Sequence, residues 1–240
     1  MIASSGHGFG LAVFPLAAGT IALVFGAMLI RRFADRRRPH EGVWAAALLM
    51  FAAASLAMFL GVVRGWQSPD FRVYWLFGAI LNVPFLAQGE VYLLVRSRRA
   101  GHLVFACVLA LAVFAGWKVS TATIDPVPLS KTLPLGKEVF GDGSAPYRLS
   151  QLYAFPAYFF LLGGSVWSAL KMKGRPELRN RTAGAVGIAL GATVVAVGSG
   201  VGAGFGIVPL FSVGLALGIG LMFWGFLRSS RPAARSPKPV

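Results

Sequence analysis

The sequence predicts an all-α integral membrane protein with seven transmembrane helices, and three observations support this fold class. Hydrophobic residues make up 56% of the 240 residues, and charged residues make up only 13%. Soluble globular domains have about 25% charged residues. The mean hydropathy is +0.69. The hydrophobic residues are grouped into long runs, and the basic residues lie in short segments between those runs.

Seven runs are long enough to cross about 30 Å of hydrocarbon, which requires about 20 helical residues. They cover residues 8–30, 42–63, 73–95, 102–118, 151–170, 182–203 and 206–227, which form one transmembrane domain over residues 1–228. The fourth run is the shortest. Residues 229–240 are rich in Pro, Ser and Arg, which predicts a disordered basic tail in the cytoplasm.

The last two runs need a turn between them, because residues 182–227 contain no charged residue. One helix of that length would measure about 69 Å, which exceeds the thickness of a bilayer. Alternate glycines from Gly198 to Gly206 weaken a helix, and Pro209 suits the start of the next one. We therefore expect a turn near Gly204–Gly206.

The distribution of basic residues predicts the orientation. The segments that follow the first, third, fifth and seventh runs contain 17 of the 23 Lys and Arg residues. Basic loops stay in the cytoplasm, so the N-terminus is expected outside and the C-terminus in the cytoplasm of a multi-pass cell (plasma) membrane protein. Residues 1–7 carry no basic residue, so the first run is expected to act as an uncleaved anchor.

Seven spans can divide into a parallel repeat of three, one and three helices. The first and fifth runs each contain a Phe-Pro pair, Phe14-Pro15 and Phe155-Pro156, about 15 residues before a basic segment. Parallel repeats of this type occur in small transporters. The alternative is that two Phe-Pro pairs arise by chance in helices rich in Phe.

Small residues recur at helical spacing in the last two runs. Gly187 and Gly191 are four residues apart, as are the pairs 198 and 202, and 214 and 218. Small residues at this spacing allow helix backbones to approach closely. We expect packing inside one bundle, with a homodimer or a membrane-protein partner as the alternative.

The only long connection lies at residues 119–150, on the outer side of the predicted topology. Its hydrophobic residues are expected to dock it on the mouth of the bundle as a lid, and a simple surface connection is the alternative. These residues are Leu133, Leu135, Val139 and Phe140.

Glu90 is the only acidic residue well inside a predicted span. Ionisable residues in membrane helices are rare, costly and often functional. A carboxyl group at this depth suits proton coupling or hydrogen bonding to a ligand. The alternative is a structural carboxyl group satisfied by a neighbouring helix or by interfacial Arg.

Asn82 lies near the middle of the same span, two residues before Pro84. Asn82, Glu90 and the tyrosines Tyr153 and Tyr158 of the fifth run are our candidate ligand-binding residues. Ordinary aromatic packing is the alternative for both tyrosines. Gln88 is expected on nearly the opposite helix face from Glu90.

The sequence lacks the residue clusters that metal sites, cofactor sites and common catalytic sites need. The chain has one cysteine and three histidines, and the spans contain no cluster of His, Asp or Glu. We therefore expect no metal, no cofactor and no catalytic residue. The net charge of +15 is explained by topology rather than by nucleic-acid binding.

The segments Trp75–Pro84 and Tyr153–Tyr158 resemble segments of uncharacterised seven-helix integral membrane proteins of GC-rich bacteria. This resemblance implies the architecture, and it carries no activity and no site residue.

Three functions follow as hypotheses. The first is a bundle that binds or transports a small neutral, aromatic or lipid-like ligand around Asn82 and Glu90. The second is a non-catalytic accessory or assembly subunit of a larger membrane complex. The third is a membrane-embedded lipid-modifying enzyme, for which no nucleophile–base pair stands out.

Overall fold

A computed structural model describes residues 5–175, 178–203, 205 and 207–229. This part of the chain is helical and contains no strand. It has seven long helices, each long and apolar enough to cross a membrane. They are α1 Ser5–Arg36, α2 Pro39–Arg64, α3 Ser68–Leu94, α4 Arg98–Thr121, α5 Ala145–Met172, α6 Arg179–Val197, which continues as a π-helix over Gly198–Ala203, and α7 Val208–Ser229.

The number of long apolar helices predicted from the sequence is confirmed, and most of them extend beyond the apolar runs. Proline at the start of α2 and serine at the N-cap of α4 explain two of the extensions. Pro39 occupies the first turn of α2, and the Ser97 hydroxyl accepts a hydrogen bond from the Ala100 N–H at 3.3 Å. The last turns of α1, α2, α5 and α7 contain basic residues, which interact favourably with helix C-termini.

Six of the seven helices form a closed ring in the order α1, α2, α3, α5, α6, α7 and back to α1. The remaining helix, α4, lies outside the ring, where it packs on α3 and α5. The buried hydrophobic residues of the ring form one continuous core, which extends from Ala18 of α1 to Phe226 of α7. The ring therefore has an axis on which side chains from all six helices can meet.

The two ends of the ring differ in charge. The basic end is where α1, α3, α5 and α7 finish, and it carries segments such as Arg36–Arg38 and Arg96–Arg99. The loop end is opposite, and it carries residues 122–144 between α4 and α5. The predicted tail falls outside the described residues from residue 230 onward.

Helices α6 and α7 pack so closely that their glycines contact the partner backbone. A Cβ atom added to Gly191 would lie 2.5 Å from the Gly218 carbonyl oxygen. A Cβ atom added to Gly198 would lie 3.1 Å from Gly214 Cα. The spacing predicted close packing of these glycines inside one bundle, and the order of the contacts shows that the two helices are antiparallel. The chain thus reverses between residues 203 and 208, although Gly204 and Gly206 of the predicted turn are outside the described residues.

The close approach of α6 and α7 predicts different effects for two neighbouring glycines of α7. Gly218→Ala would press its methyl group against Val195 and the Gly191 carbonyl, whereas a Cβ atom at Gly220 meets nothing within 4 Å. We expect Gly218→Ala to lower the free energy of unfolding by roughly 1–3 kcal/mol through overpacking. Gly220→Ala should be neutral or stabilise by up to about 1 kcal/mol. Reversible unfolding in mixed micelles, followed by circular dichroism, measures both, and equal effects would contradict this packing.

Candidate functional site

The polar residues of the bundle interior are concentrated on α3, which is enclosed by three neighbours. Helices α2, α4 and α5 all pack on it. Four successive residues, Ala87 to Glu90, are buried, although they point in all directions around the helix. Gln88 faces α4, Gly89 faces α2 and Glu90 faces α5. This segment is therefore the point at which three helices are held around a fourth.

The winding of α3 changes in the middle of the helix. Tyr74–Leu81 form a π-helix, and the Asn82 N–H bonds to the Phe77 carbonyl at its end. Pro84, which has no N–H to donate, follows in the next turn and lies within a continuous helix. Single turns of π-helix occur often at functional sites. The π-helical segment of α3 is longer than a single turn, with eight residues.

Asn82 connects α3 to α2. Its Nδ2 donates a hydrogen bond of 2.7 Å to the Ala47 carbonyl oxygen, and the side chain is buried. One turn further along α3, the Trp44 Nε1 donates to the Leu86 carbonyl at 3.0 Å. Both bonds join side chains to backbone across the same helix pair. The amide donor of Asn82 is thus already used inside the protein.

Gln88 and Gly89 complete the enclosure of α3. The Gln88 Nε2 donates to the Gly101 carbonyl of α4 at 2.9 Å, and its Oε1 is buried without a partner. The indole ring of Trp44 lies directly over Gly89, where a Cβ atom would overlap it. The sequence predicted that Gln88 lies on nearly the opposite face of the helix from Glu90. In the structure, the Gln88 face packs on α4.

Glu90 is buried at the contact of α3 with α5, with 6% of its surface exposed. A Cβ atom at Gly164 of α5 would lie 2.8 Å from the Glu90 Cγ and 2.9 Å from its Oε1. Within the described part of the chain, the Glu90 carboxyl makes no hydrogen bond and no ion pair. A carboxyl group that is buried without a partner is costly, so its presence demands an explanation.

The two candidate tyrosines have separate surroundings. The Tyr158 hydroxyl donates to Thr193 Oγ1 of α6 at 3.3 Å. Tyr153 is partly buried and packs against the hydrophobic core. The observed contacts of Asn82, Glu90 and Tyr158 are therefore with three different helices.

A cavity of about 30 Å³ lies on the axis of the ring, nearer the basic end. All six ring helices contribute apolar side chains to it. The lining residues are Phe25, Trp44, Leu48, Leu86, Leu161, Ile188, Met222 and Phe226. None of the four predicted ligand residues is among them. An apolar lining of this type offers no hydrogen-bond partners that would hold a water molecule.

Aromatic side chains close the axis at the loop end. Trp66, Phe71, Tyr74 and Trp75 make ring contacts with one another, and Phe140 of the loop joins them 5.5 Å from Phe71, measured between ring centroids. We call these five residues the aromatic plug. It contacts α7 through the Tyr74–Phe211 pair.

The loop itself is docked on the bundle. The Trp66 Nε1 donates to the Thr132 carbonyl at 3.0 Å, and the Trp75 ring lies directly against Gly136 of the loop. Leu133, Val139 and Phe140 are buried, and Leu135 is half-buried. A cavity of about 490 Å³ remains between this loop and the α2–α3 turn. The loop thus covers the mouth of the bundle, as its hydrophobic residues indicated.

Glu41 is a buried residue that sequence reasoning missed, because the second apolar run was taken to begin one residue later. Helix α2 begins at Pro39, so Glu41 belongs to its first turn, and only 4% of it is exposed. Its Oε2 is buried without a hydrogen-bond partner. Among the described residues, no group of three His, Cys, Asp or Glu side chains could hold a metal ion.

Comparison of the chain with protein-family models, curated proteins and solved structures found no match.

The contact of Glu90 with α5 predicts different effects for two adjacent glycines. Gly164→Ala would press a methyl group against Glu90, whereas a Cβ atom at Gly163 meets nothing within 4 Å. We expect Gly164→Ala to lower the free energy of unfolding by roughly 1–3 kcal/mol and Gly163→Ala to have little effect. Combining Gly164→Ala with Glu90→Ala should restore part of the loss. Additive effects in this double-mutant cycle would show that the two side chains do not touch.

Proposed function

We propose that the chain is an integral protein of the cell membrane that binds or transports a small aromatic or lipid-like ligand on the axis of its helix ring. The membrane assignment is supported by the outward surface of the helices. Leu103 and Val113 of α4 and Phe155 and Phe159 of α5 are each at least 60% exposed. Soluble monomers rarely expose contiguous apolar surface of this extent, whereas lipid covers it without cost.

The proposed orientation has the basic end in the cytoplasm, with the N-terminus outside and the C-terminus inside. Basic residues next to membrane helices remain on the cytoplasmic side. The loop end carries the docked loop and the ion pairs Arg64–Asp70 and Lys131–Glu138, so it faces the exterior in this scheme.

We further propose that the ring consists of two parallel repeats, α1–α3 and α5–α7, joined by α4. The proposal is based on the Phe-Pro pairs Phe14-Pro15 and Phe155-Pro156 of α1 and α5, and in the ring order α1 takes the place opposite α5, α2 opposite α6 and α3 opposite α7. The α3–α5 contact then corresponds to the α7–α1 contact. Parallel repeats are related by an axis along the membrane normal, which here is the axis of the ring.

The central cavity is the observation that carries the ligand proposal. Side chains of all six ring helices converge on it, and they are apolar or aromatic. Ligand pockets typically measure about 300–1,000 Å³, so a ligand would require the cavity of about 30 Å³ to enlarge. Binding requires the helices to separate, and the aromatic plug closes the other end of the axis.

The orientation is tested with single cysteines in a Cys107→Ser background, because Cys107 is the only native cysteine. Ser130 lies in the exposed loop, and Ser97 lies at the basic end. We expect a membrane-impermeant maleimide to label Ser130→Cys in intact cells and to label Ser97→Cys only after permeabilisation. Labelling of both in intact cells, or the reverse pattern, would contradict the orientation.

The cavity is tested with adjacent leucines of α2. Leu48 lines the cavity and is 2% exposed, whereas Leu49 is 41% exposed. A small aromatic compound such as 2-phenylethanol should raise the unfolding temperature of the protein in lipid nanodiscs in a saturable manner. Leu48→Phe should reduce this increase strongly, and Leu49→Phe should preserve it. Co-purification of larger subunits without any ligand effect would instead favour the accessory-subunit function.

A further inference from the structure

Two carboxyl groups are buried at the basic end of the bundle without partners. Glu41 is 4% exposed and Glu90 is 6% exposed. Within the described part of the chain, neither side chain makes a hydrogen bond or an ion pair, and the Glu41 Oε2 is enclosed. The chain has only eight acidic residues among 240. Burial of a charged carboxylate without a hydrogen bond or an ion pair is costly, so both positions call for an explanation.

Both carboxyl groups lie about one helical turn from the central cavity. Glu41 precedes the cavity residues Trp44 and Leu48 by three and seven positions, a spacing that places all three on one face of α2. Glu90 follows the cavity residue Leu86 by four positions, which places it on the same face of α3. Gly164, which contacts Glu90, follows the cavity residue Leu161 by three positions.

The residues Glu41 and Glu90 are also at about the same level along the axis. Helices α2 and α3 are antiparallel, and the Trp44 indole bonds to the Leu86 carbonyl and lies over Gly89. One turn closer to the basic end than this contact, α2 carries Glu41 and α3 carries Glu90. They therefore stand on adjacent helices beneath the cavity.

The surroundings stabilise a carboxylate at Glu41 and offer aromatic faces to a cation. Glu41 occupies the first turn of α2, where the helix N-terminus stabilises a carboxylate. The cavity contains the aromatic rings of Phe25, Trp44 and Phe226, whose faces attract cations. The Arg32 guanidinium lies 4.5 Å from the Phe226 ring centroid, and the His40 ring packs against Trp44 and also interacts electrostatically with Glu41.

We propose that Glu41 and Glu90 form the head-group site of the ligand, which is an amine with an apolar or aromatic body. The body occupies the central cavity, and the protonated amine donates hydrogen bonds to the two carboxylates. Charge-assisted bonds of this type are about twice as strong as neutral ones. This inference rests on the proposed function, and it replaces the neutral ligand class expected from the sequence with a ligand that carries one cationic group.

The test compares three probes that share one skeleton: 2-phenylethylamine, 2-phenylethanol and phenylacetate. The full-length protein in nanodiscs is titrated with each probe, and the unfolding temperature and Trp fluorescence are measured. The variants are Glu41→Gln and Glu90→Gln, which preserve side-chain shape, and Glu138→Gln, which removes a carboxylate at the loop end, is the control. An unfolding curve recorded without ligand shows whether each variant is folded. If only one of Glu41→Gln and Glu90→Gln is folded, that variant is sufficient for the test.

We expect the amine to bind in a saturable manner and more tightly than the alcohol, and phenylacetate to bind weakest. Each buried Gln variant should weaken amine binding at least about tenfold and leave 2-phenylethanol binding nearly unchanged. Glu138→Gln should behave as wild type. If 2-phenylethanol and the amine bind equally and the Gln variants have no effect, the head-group site is overturned while the proposed function stands. If no probe binds, both are overturned.

Discussion

The packing of α3 against α2, α4 and α5 at the same time is the constraint on which the arrangement of the bundle depends. Three consecutive residues face three different helices, because successive side chains on a helix are about 100° apart. Gln88 bonds to α4, Gly89 lies under Trp44 of α2, and Glu90 contacts Gly164 of α5. This places α4 outside the ring and joins α2 to α5 through α3. Chain order alone would allow α4 to take a place in the ring.

The sequence was sufficient for the elements whose cause is local. Long apolar runs predict the seven helices, and small residues spaced four apart predict the close contact of α6 with α7. The helix ends were less accurate, because a helix continues beyond its apolar run wherever a cap or a first-turn proline supports it. Glu41 was missed for this reason, since the apolar run begins only after it.

The site could be predicted only in part, because its geometry depends on contacts between distant residues. Glu90 was selected from its charge and depth, and the structure adds its contact with Gly164. No sequence pattern reveals that the Asn82 amide is bonded to the Ala47 carbonyl, or that eight apolar residues from six helices meet at one cavity. Tyr153 and Tyr158 lie on the expected helix, and the direction of Tyr158 towards α6 follows from the ring order.

The π-helix of α3 makes the winding of this helix differ between its two halves. Each of its backbone bonds spans one residue more than an α-helical bond, so the segment Tyr74–Leu81 contains surplus chain. Rewinding one such turn would rotate the preceding residues by about 100° relative to the rest of α3. Tyr74 and Trp75 would then swing away from Phe140, while Gln88 and Glu90 would stay in place. A change of winding in this segment would thus alter the contacts at the loop end while the other half of α3 stays packed on α2, α4 and α5.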